Sequence, residues 1–324
     1  MKLRCIRDYI LKLHQVCSVN NELNEYKRNR KYLLWFLTNV GFRLAKWLLM
    51  FDLFICRLIG KYPEPLKNRN NGVIVSLTSF PARINFVWLV VESIMKQHER
   101  PIKILLYLSE EEFPDGRKGL PKRLLSYEKL GLQIYFRSQN IMPHIKYYYA
   151  LQEYPNCTVI TVDDDQYYYP ETITNLVDTH LKYPDCVCAN LVRIIKFDSK
   201  GAFMPYKNWE RPITPVAPAL GNVALGFCGV LYPAGIFKDT TVFDSEQIHT
   251  LSLRADDLWL RVHETINMIP VVSGKYIGYG VQINQSQRVS LMQYNNADTP
   301  INGNDMQWKA LCGYYNLSKD NFMR

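Results

Sequence analysis

No CxxC pair occurs among the eight cysteines (5, 17, 56, 157, 186, 188, 228 and 312), and no histidine stands at zinc-finger spacing from them. That excludes the common structural zinc sites, and cysteines in apolar, strand-like runs read as small hydrophobes. A reducing, cytosolic compartment is the simplest account of such usage. A long hydrophobic run is missing too. Within the apolar stretch Lys31 to Lys61 the longest uncharged run is Tyr32 to Phe42, 11 residues, where a spanning helix needs about 20. The first apolar run begins near residue 32 with no small-residue cleavage site behind it, so no secretory signal is expected. Excess charge is absent from most of the chain. Residues 1–70 carry 14 Lys+Arg against 5 Asp+Glu, leaving 25 and 25 of the totals of 39 and 30 for residues 71–324. The whole net charge of +9 therefore belongs to the N-terminal fifth. A nucleic-acid-binding globular domain is not expected; a basic N-terminal segment with its own partner is. No internal repeat is visible.

What the N-terminal segment does contain is an amphipathic pattern. Residues 1–30 are polar and basic, with a short helix at most. Lys31 to Lys61 is rich in Leu, Phe, Trp and Ile, interrupted by Arg43, Lys46, Asp52 and Arg57. On a helical wheel Lys31, Asn39, Arg43, Lys46, Arg57 and Lys61 share one sector about 120° wide, and Asp52 falls outside it. Such a helix lies in an anionic membrane interface or docks on a partner, a second copy in a homodimer included. Packing as a core helix of the main domain is the plain alternative. Pro63 and Pro65, then Lys67-Asn68-Arg69-Asn70-Asn71-Gly72, end the helix as a linker. Residues 1–70 are thus expected to form a basic amphipathic segment and residues 71–324 a globular domain.

From Gly72 the rhythm becomes strand, helix, strand. Val73–Thr78, Ile102–Leu108, Leu132–Phe136 and Cys157–Val162 read as strands. A turn covers Thr78–Arg83, and helices cover Phe86–Met95 and Pro143–Glu153. This alternation predicts an α/β fold, a doubly wound and mostly parallel sheet with helices on both faces. Ligands of such sheets bind outside the carboxyl ends of the strands. After a helix from Pro170 to about Tyr183 the pattern turns more β-like. Strands over Cys186–Ile195 and Val223–Tyr232 flank a loop, Met204–Pro218. A helix opened by Arg254–Leu260 runs to about Met268, Val271–Ile283 is strand-like, and Asn302–Asp305 leads into a final helix ending near Tyr315. Gly226-Phe227-Cys228-Gly229, inside the second of these strands, lets a ligand approach the backbone closely.

The fourth strand stops in three consecutive carboxylates, Asp163-Asp164-Asp165. They repel one another, and one Asp suffices to cap the helix that follows. On an extended chain Asp163 and Asp165 share a face while Asp164 points the other way. A carboxylate pair on a strand end suits a hard, oxygen-liganded divalent cation. A second pair, Asp256-Asp257, opens a helix about 90 residues later. One carboxylate can cap that helix while the other faces the cavity as a general base. No third metal ligand stands out. His249 and His263 are the only histidines beyond residue 185, and His263 lies on another face of its helix from Asp257.

Residues 73–262 resemble a GT-A type glycosyltransferase, near the small bacterial enzymes that decorate surface polysaccharides and lipopolysaccharides. The turn Ser76-Leu77-Thr78-Ser79-Phe80-Pro81-Ala82-Arg83 is similar to that family's nucleotide-binding opening. Asp163-Asp164-Asp165 resembles its DXD motif, and Asp256-Asp257-Leu258-Trp259-Leu260 its base-bearing acidic pair. The resemblance implies a GT-A-like catalytic domain, with a nucleotide-sugar half over about 71–185 and an acceptor half over about 186–324. It implies Mn2+ or Mg2+ as cofactor, a nucleotide-sugar donor with UDP-sugars first, and a glycan or lipid-linked acceptor. Asp165 would be the direct metal ligand and Asp163 the ribose or metal contact. Asp164 would face the donor sugar or a structural partner. Asp257, with Asp256 as cap or orienting partner, would be the base of an inverting transfer. Thr78 and Ser79 belong to the donor turn. Phe80 stacks on the base or packs in the core, and Arg83 pairs with phosphate or ties down its own loop. Lys146 reaches the sugar or phosphates or is an ordinary exposed lysine. The expected place of work is the cytoplasmic face of the cell membrane, as a peripheral protein. A nucleotidyltransferase of sugar metabolism is the alternative enzyme, although Ser76–Arg83 lacks the glycines of its phosphate loop. A catalytically inactive, membrane-associated scaffold of the same fold is the alternative of another class.

Overall fold

The computed structural model describes residues 3–25, 32–67, 72–283 and 303–323; Lys31, linker residues 68–71 and Asn302, used above, lie outside them. The N-terminal segment forms two helices, α1 (Leu3–Glu25) and α2 (Tyr32–Leu58). They run antiparallel. Thr38 and Asn39 donate to the side-chain oxygen of Asn21 at one end, and Arg7 pairs with Asp52 at the other. Gly41 makes the close approach possible, since a Cβ there would lie 3.0 Å from Cys17 Sγ. The expected polar sector of α2 divides between two environments. Asn39 and Lys46 are half-buried, with Asn39 bonded to α1, whereas Arg43, Arg57 and Lys61 stay exposed. The pair is also part of the main body. Leu11, Leu49 and Leu53 join the same apolar cluster as the sheet strands, and His14 Nδ1 lies 2.7 Å from the Tyr169 hydroxyl. Among the described residues no helix is long and apolar enough to cross a membrane.

The strand and helix alternation then begins. β1 (Val73–Thr78), β2 (Lys103–Ser109), β3 (Leu132–Arg137) and β4 (Thr158–Thr161) are connected through α3 (Val87–Met95), α4 (Lys122–Ser126) and α5 (Ile145–Glu153). After the acidic triplet come β5 (Gln166–Tyr167), α6 (Thr172–Lys182), β6 (Val187–Ala189), β7 (Val192–Ile194), β8 (Val216–Ala219), β9 (Asn222–Ala224) and β10 (Val230–Tyr232). α7 (Ser245–Leu251), α8 (Asp256–Ile266), β11 (Val271–Ser273), β12 (Val281–Gln282), α9 (Gly303–Tyr314) and α10 (Lys319–Phe322) complete the described chain. Eight strands form one sheet in the order β3-β2-β1-β4-β10-β6-β11-β8. β1, β2, β3 and β4 pair in parallel, as does β6 with β11. β10 runs antiparallel to β4 and β6, and β8 antiparallel to β11. β1 and β2 are buried on both faces, which is why they read as nearly continuous apolar runs, whereas the edge strand β3 is half-buried.

Three expected strands divide, among them Val271–Ile283, which stops at Ser273 and resumes as Val281–Gln282, paired with β5 in a separate sheet. Cys186–Ile195 breaks at Asn190, whose side-chain amide donates to the carbonyls of Thr172 and Cys228. Val223–Tyr232 breaks at a single 3-10 turn over Gly226–Cys228, followed by Gly229 at φ +93°. The glycine motif therefore sits in a turn rather than inside a strand. Apolar residues flank it on both sides, so periodicity alone does not reveal the break. The helix expected from Pro170 starts at Thr172, beyond Pro170 and Glu171.

Three imidazoles are fully enclosed, His14, His144 and His263. Burial lowers each from 6.5 to about 4, with Lys46 adding to the effect at His14. They are neutral in the folded state, and unfolding lets them take up protons below about pH 6.5. Their contribution to stability is thus complete above pH 6.5 and is lost as pH falls toward 4. The limiting slope is about 1.4 kcal/mol per pH unit for each histidine. Urea unfolding at neutral pH and near pH 5 should show that loss; a flat profile would mean the imidazoles are charged in the folded protein.

Candidate active site

Parallel pairing of β1 with β4 sets Ser76 beside Thr161. The turn after β1 and the acidic triplet after β4 therefore leave the sheet side by side. Ser79 Oγ donates to Asp164 Oδ2 at 2.5 Å, and Arg83 Nη1 donates to Asp164 Oδ1 at 2.6 Å. The same guanidinium nitrogen lies 3.3 Å from Asp165 Oδ2. Arg83 is only 7 % exposed, with its guanidinium 5.3 Å from the centroid of the half-buried Phe80 ring. Burial alone would lower the Arg83 pKa, but Asp164 and Asp165 reverse that and raise it. Asp164 is raised by burial despite Arg83. Arg83 and Ser79 thus bond the turn after β1 to Asp164. Thr78 Oγ1 donates to the Tyr107 carbonyl.

Part of the positive charge that the triplet calls for is supplied from within. Lys146, in the first turn of α5, is 4 % exposed and is no surface lysine. Ser76 Oγ donates to its carbonyl and holds that turn on β1. Its ammonium lies 2.6 Å from Asp163 Oδ1 and 2.8 Å from Asp256 Oδ2. Burial would lower the Lys146 pKa, but Asp163, Asp256 and Asp257 together lift it well above the ordinary value. Asp256 is therefore an ion-pair partner, and no side-chain cap closes the α8 N-terminus. Asp257 Oδ1 accepts from the Gly226 amide at 3.1 Å. A Cβ on Gly226 would meet that oxygen at 2.9 Å and the Lys146 ammonium at 3.3 Å, so the turn needs glycine here.

The two neighbouring carboxyls are pushed apart in proton affinity. Burial would raise Asp256, yet Lys146 and then His144 hold it below the usual carboxylate range. Asp257 is raised well above that range by burial, then by the negative charge of Asp256. Neighbouring acids with divergent affinities are a means of dividing acid and base roles in one site. Asp163, Asp164, Asp165, Asp256 and Asp257 gather here with Lys146 and Arg83, five carboxylates against two cations. The cluster has room for further positive charge. Among the described residues no group of three His, Cys, Asp or Glu side chains is arranged to hold a metal by itself. Asp163 Oδ1 faces the Lys146 ammonium and Asp165 Oδ2 faces Arg83, so the two carboxylates available to a hard ion each already meet a cation of the protein. A cavity of about 350 Å³ lies elsewhere, lined by Asp8, Lys12, Gln15, His98 and Glu171 among others, and includes no residue of the cluster.

Several residues that sequence reading passes over position these groups. Tyr168 OH accepts from the Asp163 amide at 2.8 Å and donates to the Phe227 carbonyl at 3.1 Å. Gln166 Nε2 donates to the same carbonyl. His144 Nε2 donates to the Ser252 carbonyl and so clamps the start of α5 to the segment before α8. Arg261, wholly buried, donates to the carbonyls of Asn222 and Ile269 and pairs with Glu264, fixing α8 against β9. A charged residue four or five positions beyond Asp256-Asp257 on an apolar face was the available signal for Arg261. His263 packs on Trp259 and Tyr315 in the core, and His249 is exposed on α7; neither touches the cluster.

No family model matches the chain, and no curated protein matches it in sequence. Several solved structures align with part of it. TarS residues 1–349 from S. aureus, in complex with UDP, aligns over 77 % of this chain and 73 % of its own, at 16 % identity and a TM-score of 0.44. The mannosyltransferase PcManGT from Pyrobaculum calidifontis, in complex with GDP-Man and Mn2+, aligns over 82 % and 67 %, at 11 % identity and a TM-score of 0.41. An apo UDP-glucose pyrophosphorylase aligns over 75 % and 97 %, at 9 % identity and a TM-score of 0.37.

Proposed function

We propose that the chain is a metal-dependent glycosyltransferase that moves a sugar from a nucleotide-sugar donor, a UDP-sugar first, to a hydroxyl of a glycan or lipid-linked acceptor. The observation that carries this reading is the carboxylate cluster at the carboxyl edge of the sheet, with its acidic pair split by Lys146. Asp257 is the base. It takes the acceptor hydroxyl proton as that oxygen attacks the anomeric carbon, and the bond to the diphosphate breaks with its electron pair leaving on the nucleotide. One displacement inverts the anomeric centre. Asp256, kept ionised by Lys146, is the neighbouring charge that adds to burial in raising the proton affinity of Asp257. Mn2+ or Mg2+ held by Asp163 and Asp165 would stabilise charge on the departing diphosphate as a Lewis acid. Arg83 and Ser79 hold the triplet in register, and the Gly226 amide aims Asp257.

The test is nucleotide release from a panel of UDP- and GDP-sugars in Mn2+, with the anomeric configuration of the product read by NMR. Release of UDP or GDP supports the transferase; a retained anomeric configuration overturns the single displacement. Pyrophosphate release from a nucleoside triphosphate and a sugar phosphate would identify a nucleotidyltransferase instead. Asp165→Ala should lower turnover to the metal-free level while the protein stays folded, because removing one of three adjacent carboxylates relieves repulsion. Near-normal activity of that variant in Mn2+ would refute the metal assignment.

A further inference from the structure

α2 turns toward solvent a face that water does not stabilise. Phe36, Val40, Trp47, Phe51, Phe54 and Leu58 recur at steps of three, four and seven residues and are between 46 % and 66 % exposed. The Trp47 and Phe51 rings stack at 5.6 Å. The residues of α2 buried against the rest of the protein, Ala45, Leu49, Leu53 and Cys56, occupy other positions of the helical repeat. α1 exposes Tyr9, Leu13 and Val16 in addition. Half-exposed aromatic side chains in this number present on the order of 500 Å² of apolar surface, at the upper end of what a monomeric soluble protein leaves open.

Charge decides what covers it. Arg43, Arg57 and Lys61 are exposed beside or within this face. Asp52, the one acidic residue of α2, is half-buried and paired with Arg7. The exposed charges of α2 beside this apolar face are therefore basic, and no exposed acid on that helix offsets them. We propose that it docks on an anionic lipid bilayer, with α2 lying in the plane of the interface. Arg43 distinguishes this occupant from a second copy of the chain. It stands between Val40 and Trp47 in the stripe, and a protein partner of the same apolar character would bury its charge without a counterion. At a bilayer its long stem lies among the acyl chains while the guanidinium reaches lipid phosphate.

Vesicle flotation tests this separately from any catalysis. The full-length protein should float with phosphatidylcholine vesicles that contain phosphatidylglycerol, and less with phosphatidylcholine alone. Arg57→Gln with Lys61→Gln should weaken partitioning to the anionic vesicles roughly 30-fold, since each basic residue near the surface adds a comparable increment. Trp47→Glu, Phe51→Glu and Phe54→Glu together should leave the protein in the bottom fraction, with an unchanged melting temperature and unchanged nucleotide release. A wild-type protein that does not float, or a triple variant that floats as well as the wild type, overturns the proposal. A concentration-dependent dimer that the triple variant dissolves, without vesicle binding, assigns the face to a second copy instead. Absent nucleotide release with intact flotation would remove the transferase reading and leave this one standing.

Discussion

Asp257→Asn is expected to transfer sugar on the order of 10² to 10⁴ times more slowly than the wild type while binding donor normally. The amide keeps the size of the side chain and its carbonyl oxygen can still accept from the Gly226 amide. It cannot take a proton. Nor does the change disturb the Lys146 ion pairs with Asp163 and Asp256, which use other carboxylates. Single-turnover kinetics at saturating donor, with donor affinity measured by calorimetry, separate the two quantities. Equal loss in binding and rate would place Asp257 among the donor contacts; an unchanged rate would move the base elsewhere.

Arg7→Met should destabilise the folded protein by about 3 to 5 kcal/mol, the cost of breaking a buried ion pair from one side. Arg7 is 5 % exposed and lies 2.6 Å from Glu92 on α3, itself 1 % exposed, while also pairing with Asp52 of α2. Its Nη2 also approaches Cys56 Sγ at 3.0 Å. Glu92 keeps Lys96 and the Tyr127 hydroxyl as partners after the change, but Asp52 loses the guanidinium that bridges both helices to the domain. Urea unfolding followed by circular dichroism should show one transition at a lower midpoint. Two separate transitions, with the later one at the wild-type midpoint, would mean that α1 and α2 form an appendage and not part of the fold.

The strands of the first half were legible because each is an unbroken apolar run bounded by turn residues. Val73–Thr78 stands as expected, and Leu132–Phe136 is longer by a single residue. The acidic segments were legible for a similar reason, since three carboxylates have no place inside a sheet. Their counter-charges were not. Arg83 reaches Asp164 across 81 positions of sequence and Lys146 reaches Asp256 across more than a hundred, contacts that no local pattern encodes. The β-like second half was harder. Its strands are two to four residues long, and the break at Gly226–Cys228 depends on tertiary contacts with Asp257 and Tyr168. On α2, the wheel gave the polar edge but not which apolar side faces inward. That choice is made by α1, whose Cys17 packs on Gly41 and whose Asn21 holds Thr38.

The far end of α1 reaches the neighbourhood of the acidic cluster. Val19 packs in one apolar group with Ile213, Phe227 and Tyr279, and Glu22 pairs with Arg211, which lies over the Tyr279 ring. Phe227 follows directly on the glycine that holds Asp257. An N-terminal deletion is therefore a confounded experiment. It removes the outward apolar face, but it also strips packing from the turn that aims the base, and lost activity would not distinguish detachment from a loosened site. Substitutions confined to Trp47, Phe51 and Phe54 change only the first variable, so location and chemistry can be varied independently in a chain whose one hairpin contributes to both.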